Sequence, residues 1–348
     1  MIKFLNSGIL SSFQDKGRLR KKKFGVSKSG CLDPFSFELA NKLLGNYHNE
    51  PCIETLGGVS CVFLEESIVS ITGPLEIFSV NDNYIYQTNS SIKINSGDRL
   101  DIPLSNKGNI FYISVSGGFK INKIMDSYSY HQPSTITNDL KISNGDLIKL
   151  NRNRNLGNDL FISDNTFFEN KIFNDKKIKI IYNEDINIKE FKKKFEKKEF
   201  IISDQISRQG IRLKGEPIDF FKDQNEISSE VSAGTVQLPP DGLPIILLND
   251  SQTTGGYKKI GSIPRFQLSK ICQSPISSKV KFSEISLSES ISENRKINLE
   301  FNNIKIQSYT NRVLEINGRL ISVLISQNNS IISIADNQQF EIIEDRFE

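Results

Sequence analysis

The stretch Gln237-Leu-Pro-Pro-Asp-Gly-Leu-Pro-Ile-Ile-Leu-Leu-Asn-Asp-Ser-Gln-Thr-Thr-Gly-Gly-Tyr257 sets a turn, an apolar run and a dense polar cluster side by side. Pro239, Pro240, Asp241 and Gly242 make the turn, and residues 243–248 read as a short buried strand. Asn249, Asp250, Gln252, Thr253 and Thr254 follow, ahead of Gly255, Gly256 and Tyr257. A buried strand that ends in carboxylate, amide and hydroxyl groups beside pliable backbone is a common way to build a small-molecule site. The glycine pair can take positive φ and bring backbone N–H groups up to an anion. A strand followed by a polar turn is the plainer alternative, and the density of hydrogen-bonding side chains favours a site.

Outward from this block, β-patterned runs recur at residues 59–64, 68–72, 92–94, 99–103, 110–116 and 147–150. Asn95-Ser-Gly-Asp98 and Ser143-Asn-Gly-Asp146 each introduce a strand with the same Gly-Asp turn, a pattern of β-barrel construction. One helix starts at Asp33-Pro34, with Asp as N-cap, carries Phe37, Ala40, Leu43 and Leu44 on one side and stops at Gly45. A second, near residues 187–200, reads as a solvated amphipathic helix with Phe191 and Phe195 and a surface lysine run. The aperiodic, Asn/Asp/Arg-rich residues 151–175 read as a linker, and the serine-rich residues 286–294 as a weaker boundary. The sequence therefore predicts a mostly β protein with a few short helices. Its expected units are an N-terminal β-barrel over residues 1–160, a second over 176–285, and a small β appendage over 296–343.

Composition narrows the function. The chain has 348 residues, 37% hydrophobic and 24% charged, which is ordinary for a globular protein of one or two domains. A formal charge of +3 is too weak a bias to make nucleic acid the expected partner. No run approaches the roughly 20 apolar residues of a membrane helix, and no secretory pattern precedes Gln14. A cytoplasmic setting with four reduced, mostly buried cysteines is expected. With two histidines, His48 and His131, a zinc site is not expected, and acid–base work falls to carboxylates, lysine or tyrosine.

Two further regions carry candidate chemistry. Arg18, with Asp15 to orient it, can make a bidentate contact to a carboxylate or phosphate; Ser29 and Asp33 lie in the next glycine-rich turn. A surface ion pair explains the Arg18 segment equally well. Arg208 and Arg212 flank Gly210 and can share a strand face or converge on one anion, with structural ion pairs as the alternative. No Gly-x-x-x-x-Gly-Lys-Ser/Thr loop is present.

Taken in order, Gln14-Asp15-x-Gly17-Arg18, Ser29-Gly30-x-x-Asp33, Ala40-Asn41, Gly45-Asn46, Glu54, Thr72-Gly73, Tyr112, Gly117-Gly118, Arg208-x-Gly210-x-Arg212-Leu213 and Gln237 through Tyr257 resemble a known family. It is the biotin-dependent carboxyltransferase-like family, which includes the C subunit of 5-oxoprolinase, the second subunit of allophanate hydrolase, the Kip antagonist and the urea carboxylase carboxyltransferase domain. The resemblance covers about residues 3 to 283. It implies two cyclophilin-like β-barrel domains and a subunit of an ATP-dependent 5-oxoprolinase complex. The implied partners are a companion subunit-1-type chain and a LamB/YcsF-type subunit, with a homo-oligomer also compatible.

The implied catalytic residues are Arg208, Asp250 and Asp241. The implied substrate-binding residues are Arg18, Ser29, Asp33, Arg212, Gln237, Gln252, Thr253, Thr254, Gly255, Gly256 and Tyr257, with no metal. On this reading Arg208→Ala or Asp250→Ala abolishes turnover without altering unfolding. The alternatives are a carboxyltransferase of a urea or amide carboxylase and a non-catalytic regulatory protein. Met1 and Met125 are the only methionines, so a Met-Lys-Met biotin attachment site is absent and biotin is expected on another chain. The chain departs from the family pattern at Arg20, where glycine is usual, and at Met125-Asp-Ser-Tyr-Ser129, which replaces an arginine-bearing segment.

Overall fold

The structure, a computed structural model, describes residues 1–82, 84–151, 160–173, 177–184, 189–219, 227–316, 319–326 and 331–333. Two sheets, one of six strands and one of nine, enclose the core of the N-terminal half. The strand Val59–Phe63 shows how sequence sets this packing. Its residues alternate between buried and half-buried, so Val59, Cys61 and Phe63 turn inward. Phe111–Val115 is buried at every position instead. Phe111, Ile113 and Val115 face the core between the sheets, and Tyr112 faces a second core that continues into the C-terminal half. The helix Pro34–Leu43 lies over this sheet, where Ser70 and Thr72 donate to the Ala40 and Ser36 carbonyls. Asp33 caps it as expected, accepting from Phe35 N and Ser36 N.

The C-terminal half is a closed barrel of seven strands. Around the ring these are Lys177–Tyr182, Lys258–Ser262, Thr235–Leu238, Ile245–Leu247, Gly210–Lys214, Phe200–Ser207 and Lys279–Glu284. The helix Lys189–Lys197 packs on it through Phe191 and Phe195, which are fully buried, and Phe195 meets Phe282 at 4.8 Å between ring centroids. Its lysines stay outside, Lys192 paired with Glu284 and Lys194 with Glu190. The helix ends at Lys197, three residues short of the expected bound, because Phe200 already opens the next strand; residues 187–188 lie outside the described residues.

A helix with no counterpart among the elements expected from sequence, Arg265–Gln273, joins the halves. Gln273 Oε1 accepts from Asn109 N and Ile110 N at 2.9 Å, and its Nε2 donates to Asp33 Oδ2 and Ile110 O at 2.9 Å. Cys31, Leu32 and Tyr112 of the first half share one apolar core with Leu268, Ile271 and Cys272. Each large apolar side chain buried there contributes about 1.5–3 kcal/mol on leaving water. The two halves therefore share one continuous apolar core.

The serine-rich residues 286–294 are a correction. They begin a 16-residue helix, Leu287–Asn302, which Ser286 opens with a capping box to Glu289. Ile297 and Phe301 anchor this helix on Phe35 and Phe167. Part of the expected linker is ordered too: Leu160–Ser163 pairs with Ile306–Ile316, so the C-terminal strands extend the nine-stranded sheet of the first half. Residues 152–159, 174–175 and 334–343 lie outside the described residues. All four cysteines are free and buried. No described helix is long and apolar enough to cross a membrane.

Candidate functional site

Arg208 is the hub where the halves meet. It stands in the turn between Phe200–Ser207 and Gly210–Lys214 and is 3% exposed. Its Nε donates to Asp250 Oδ2 at 3.0 Å and its Nη2 to Gly30 O at 2.6 Å; Nη1 pairs with Glu54 of the first half. Burial alone disfavours the guanidinium charge, but Asp250 and then Glu54 outweigh it and raise its pKa. Burial pushes the Glu54 carboxyl up, yet both its oxygens already accept, one from Arg208 and the other from Leu32 N at 2.9 Å and the Tyr112 hydroxyl at 2.6 Å. No acceptor remains there for a carboxyl proton, so the ion pair is the state this geometry supports. All three guanidinium nitrogens of Arg208 are thus engaged by protein, which makes it a structural hub between the halves.

Arg18 is different. It is 2% exposed, and Nη2 donates to the Ser129 carbonyl, while Nη1 has no partner among the described residues. Burial lowers its pKa, with Asp15 and Asp250 opposing. Asp15 orients it only indirectly. The Asp15 carboxylate accepts from Gly17 N, Tyr128 N and the Ser127 and Ser129 hydroxyls, which pins the 127–129 segment against which Arg18 rests. Residues 125–129, which depart from the family pattern in sequence, are therefore built into the seam through Ser127, Tyr128 and Ser129. Arg20 keeps the left-handed φ of 60° that a glycine would hold.

Around Asp250 sit several buried polar atoms without a partner among the described residues: Arg18 Nη1, Ser29 Oγ, His131 Nε2 and Gln132 Oε1. Gln132 N donates to Asp250 Oδ2 at 3.1 Å, and Ser29 N donates to Asn249 O at 2.9 Å. Arg18 Nη1 can only donate and Gln132 Oε1 only accept, while the Ser29 hydroxyl and His131 Nε2 can do either, a set that can meet both sides of an amide. His131 is one of the residues that sequence reasoning missed, with Gln132, Glu54 and Tyr112. Glu54 and Tyr112 carry part of the family resemblance in sequence, but only the fold, which pairs them, gives them a role.

Burial holds the His131 imidazole below its ordinary 6.5; Asp250 opposes this, and Arg18 and Arg208 reinforce it. The unfolded chain then takes up this proton at higher pH than the folded one, so stability falls as pH drops below 6.5 toward the native value. His131→Asn is expected to remove that part of the pH dependence. Urea midpoints measured between about pH 5 and 8 check it, and an unaltered slope contradicts it.

Of the residues expected at the site, Arg18, Ser29, Arg208 and Asp250 converge. Arg212 and Asp241 do not: they pair with each other, half-exposed, on the outside of the barrel, because Ile211 and Leu213 take the inward positions of that strand. Asp33 is saturated by its helix cap and by Gln273. Neither Gly255 nor Gly256 has positive φ, since Thr254–Gly255 is a strand paired with Ser229–Glu230. Gly255 instead makes room, because a Cβ there would lie 2.6 Å from the amide nitrogen of buried Gln237. Thr254, Gly256 and Tyr257 are exposed, and Gln252 and Thr253 line a neighbouring cavity. No described group of three His, Cys, Asp or Glu is placed to hold a metal ion.

A family model described as carboxyltransferase domain, subdomain A and B, matches residues 24–284. The chain belongs to this carboxyltransferase family. Among its relatives, the C subunit of 5-oxoprolinase from Haemophilus influenzae is 27% identical over 317 residues, 88% of this chain and 98% of that protein. The same subunit from Escherichia coli K12 is 28% identical over 300 residues, 84% and 93% of the two chains. The urea amidolyase of Saccharomyces cerevisiae is 36% identical over 124 residues, 35% of this carboxyltransferase-family chain and 7% of the amidolyase. The solved Kluyveromyces lactis urea amidolyase superposes with a TM-score of 0.79 at 20% identity. That superposition covers 94% of this chain and 22% of the amidolyase, and it shows a common fold.

Proposed function

We propose that this chain is one component of a multi-chain complex that opens 5-oxoproline to glutamate at the expense of ATP. The reading is carried by the orphaned donors and acceptors around Asp250, which complement a small amide, together with the near-full-length match to two proteins named as the C subunit of 5-oxoprolinase. A lactam carbonyl is inert until activated. Phosphoryl transfer from ATP to its oxygen, with loss of the N–H proton, makes the carbon electrophilic. One water adds and the C–N bond breaks to leave an acyl phosphate and a free amine, and a second water hydrolyses the acyl phosphate to the carboxylate and phosphate.

In this scheme Arg18 Nη1 and Ser29 Oγ donate to the carboxylate and carbonyl oxygens, Gln132 Oε1 accepts from the one lactam N–H, and His131 Nε2, as the N–H tautomer, donates to a remaining carboxylate oxygen. Asp250, held by Arg208 and Gln132 N, positions these groups. The assembly is completed by a companion subunit-1-type chain and a LamB/YcsF-type subunit, and ATP arrives with them.

The experiment reconstitutes the complex from purified subunits and measures ATP-dependent release of glutamate from 5-oxoproline. Release is expected only when this chain is present; equal release without it refutes the reading. A second reading, a carboxyltransferase that accepts its carboxyl group from biotin on another chain, is favoured by the 36% local identity to a urea amidolyase. Carboxylation of urea that requires this chain and a biotinylated carrier would assign it. Tight complex formation with neither turnover would assign a regulatory role.

A further inference from the structure

Lys22, Lys28 and Arg265 surround one cavity of about 190 Å³, which Asn249, Gln252 and Thr253 also line. It adjoins the Asp250 seam but is distinct from it: Lys28 and Cys31 line it, and Ser29 between them does not. Lys22 reaches the exposed Glu230 at 3.3 Å and the Val231 carbonyl at 3.1 Å. The half-buried Lys28 ammonium and the exposed Arg265 guanidinium have no hydrogen-bond or ion-pair partner among the described residues. Burial pushes the Lys28 ammonium down from its ordinary pKa, and Arg265 and then Lys22 add to the push. The helix that begins at Arg265 has Pro264 before it and no side-chain cap, so its first-turn N–H groups add positive potential on the same side. Folding alone gains nothing from crowding three cations around a hollow. An anion with several oxygens would neutralise them and take their donors at once.

We propose that this cavity binds a phosphoryl group, with Lys28 and Arg265 as its principal ligands and Lys22 beside them. The assignment stands on these three cations and holds whatever molecule the Asp250 seam takes. Free phosphate and the terminal phosphoryl of a nucleotide share this chemistry.

Calorimetric titration of the full chain with inorganic phosphate and with ADP tests it, alongside Lys28→Met and Arg265→Met. Wild type is expected to bind phosphate, and each variant to bind it at least about tenfold more weakly. Phosphate is expected to raise the unfolding temperature of wild type and to leave that of the variants unmoved. Relief of like-charge crowding keeps Lys28→Met folded, which unliganded melting verifies. ADP that competes with phosphate identifies the nucleotide as the source; phosphate binding without competition identifies the free anion. Wild type that binds neither, variants that bind as tightly as wild type, or binding lost through Arg18→Met in place of Lys28→Met would each overturn the proposal.

Discussion

Arg208→Met is expected to destabilise the protein by about 3–5 kcal/mol, because it strands Glu54 and Asp250 as buried carboxylates with no cation between them. That contradicts the expectation from sequence that this arginine serves turnover and leaves unfolding untouched. Urea denaturation of the purified chain reads the effect as a lower midpoint at unchanged slope. Adding Glu54→Gln and Asp250→Asn to Arg208→Met should recover part of the loss, since the carboxylates then no longer need a counter-charge. A midpoint within experimental error of wild type would show that the three side chains are not coupled as the structure has them. Activity should fall with folding, so the stability measurement is the one that separates a structural hub from a substrate ligand.

Arg18→Met is expected to do the reverse. Its Nη1 is unpaired inside the seam, so removing the guanidinium should cost about 1 kcal/mol or less in stability, the worth of one hydrogen bond to the Ser129 carbonyl. If Arg18 supplies a donor to the reacting amide, turnover in the reconstituted complex should drop about 100- to 1,000-fold. Arg18→Lys should not restore it, because a single ammonium cannot hold Ser129 and a ligand in one plane. Kinetics with 5-oxoproline, set beside a melting curve of the same preparation, make the test. Full activity in Arg18→Met would remove this arginine from the site.

The parts of this molecule that repeat a local signal were legible in the sequence. Alternation placed strands such as Val59–Phe63, and Asp33-Pro34 with Gly45 bracketed the helix Pro34–Leu43. The helix Arg265–Gln273 was not, because it is buried almost all round and carries Gln267, Ser269, Lys270 and Gln273 inward, so no apolar stripe marks it. The helix Leu287–Asn302 was readable in principle: Ser286 and Glu289 have capping-box spacing, but its many serines read as a boundary.

In the site, Arg18, Arg208 and Asp250 stood out by residue type and spacing. Their roles did not, since Arg208 is assigned by Glu54, a partner 154 residues away that no local pattern connects to it. Arg212 failed for a simpler reason. Strand alternation turns it to the barrel exterior, where Asp241 is waiting.

The Glu54–Arg208 pair also constrains how the chain is made. Synthesis runs from the N-terminus, so Glu54 leaves the ribosome 154 residues before its cation exists. At roughly 5–20 residues per second, that wait is on the order of 8–30 seconds. During it the nascent first half must keep the carboxyl either protonated or open to water, along with the apolar surface around Tyr112. Maturation of this protein is therefore a late docking event, and severing the polypeptide between the halves should yield two fragments that are each prone to aggregate.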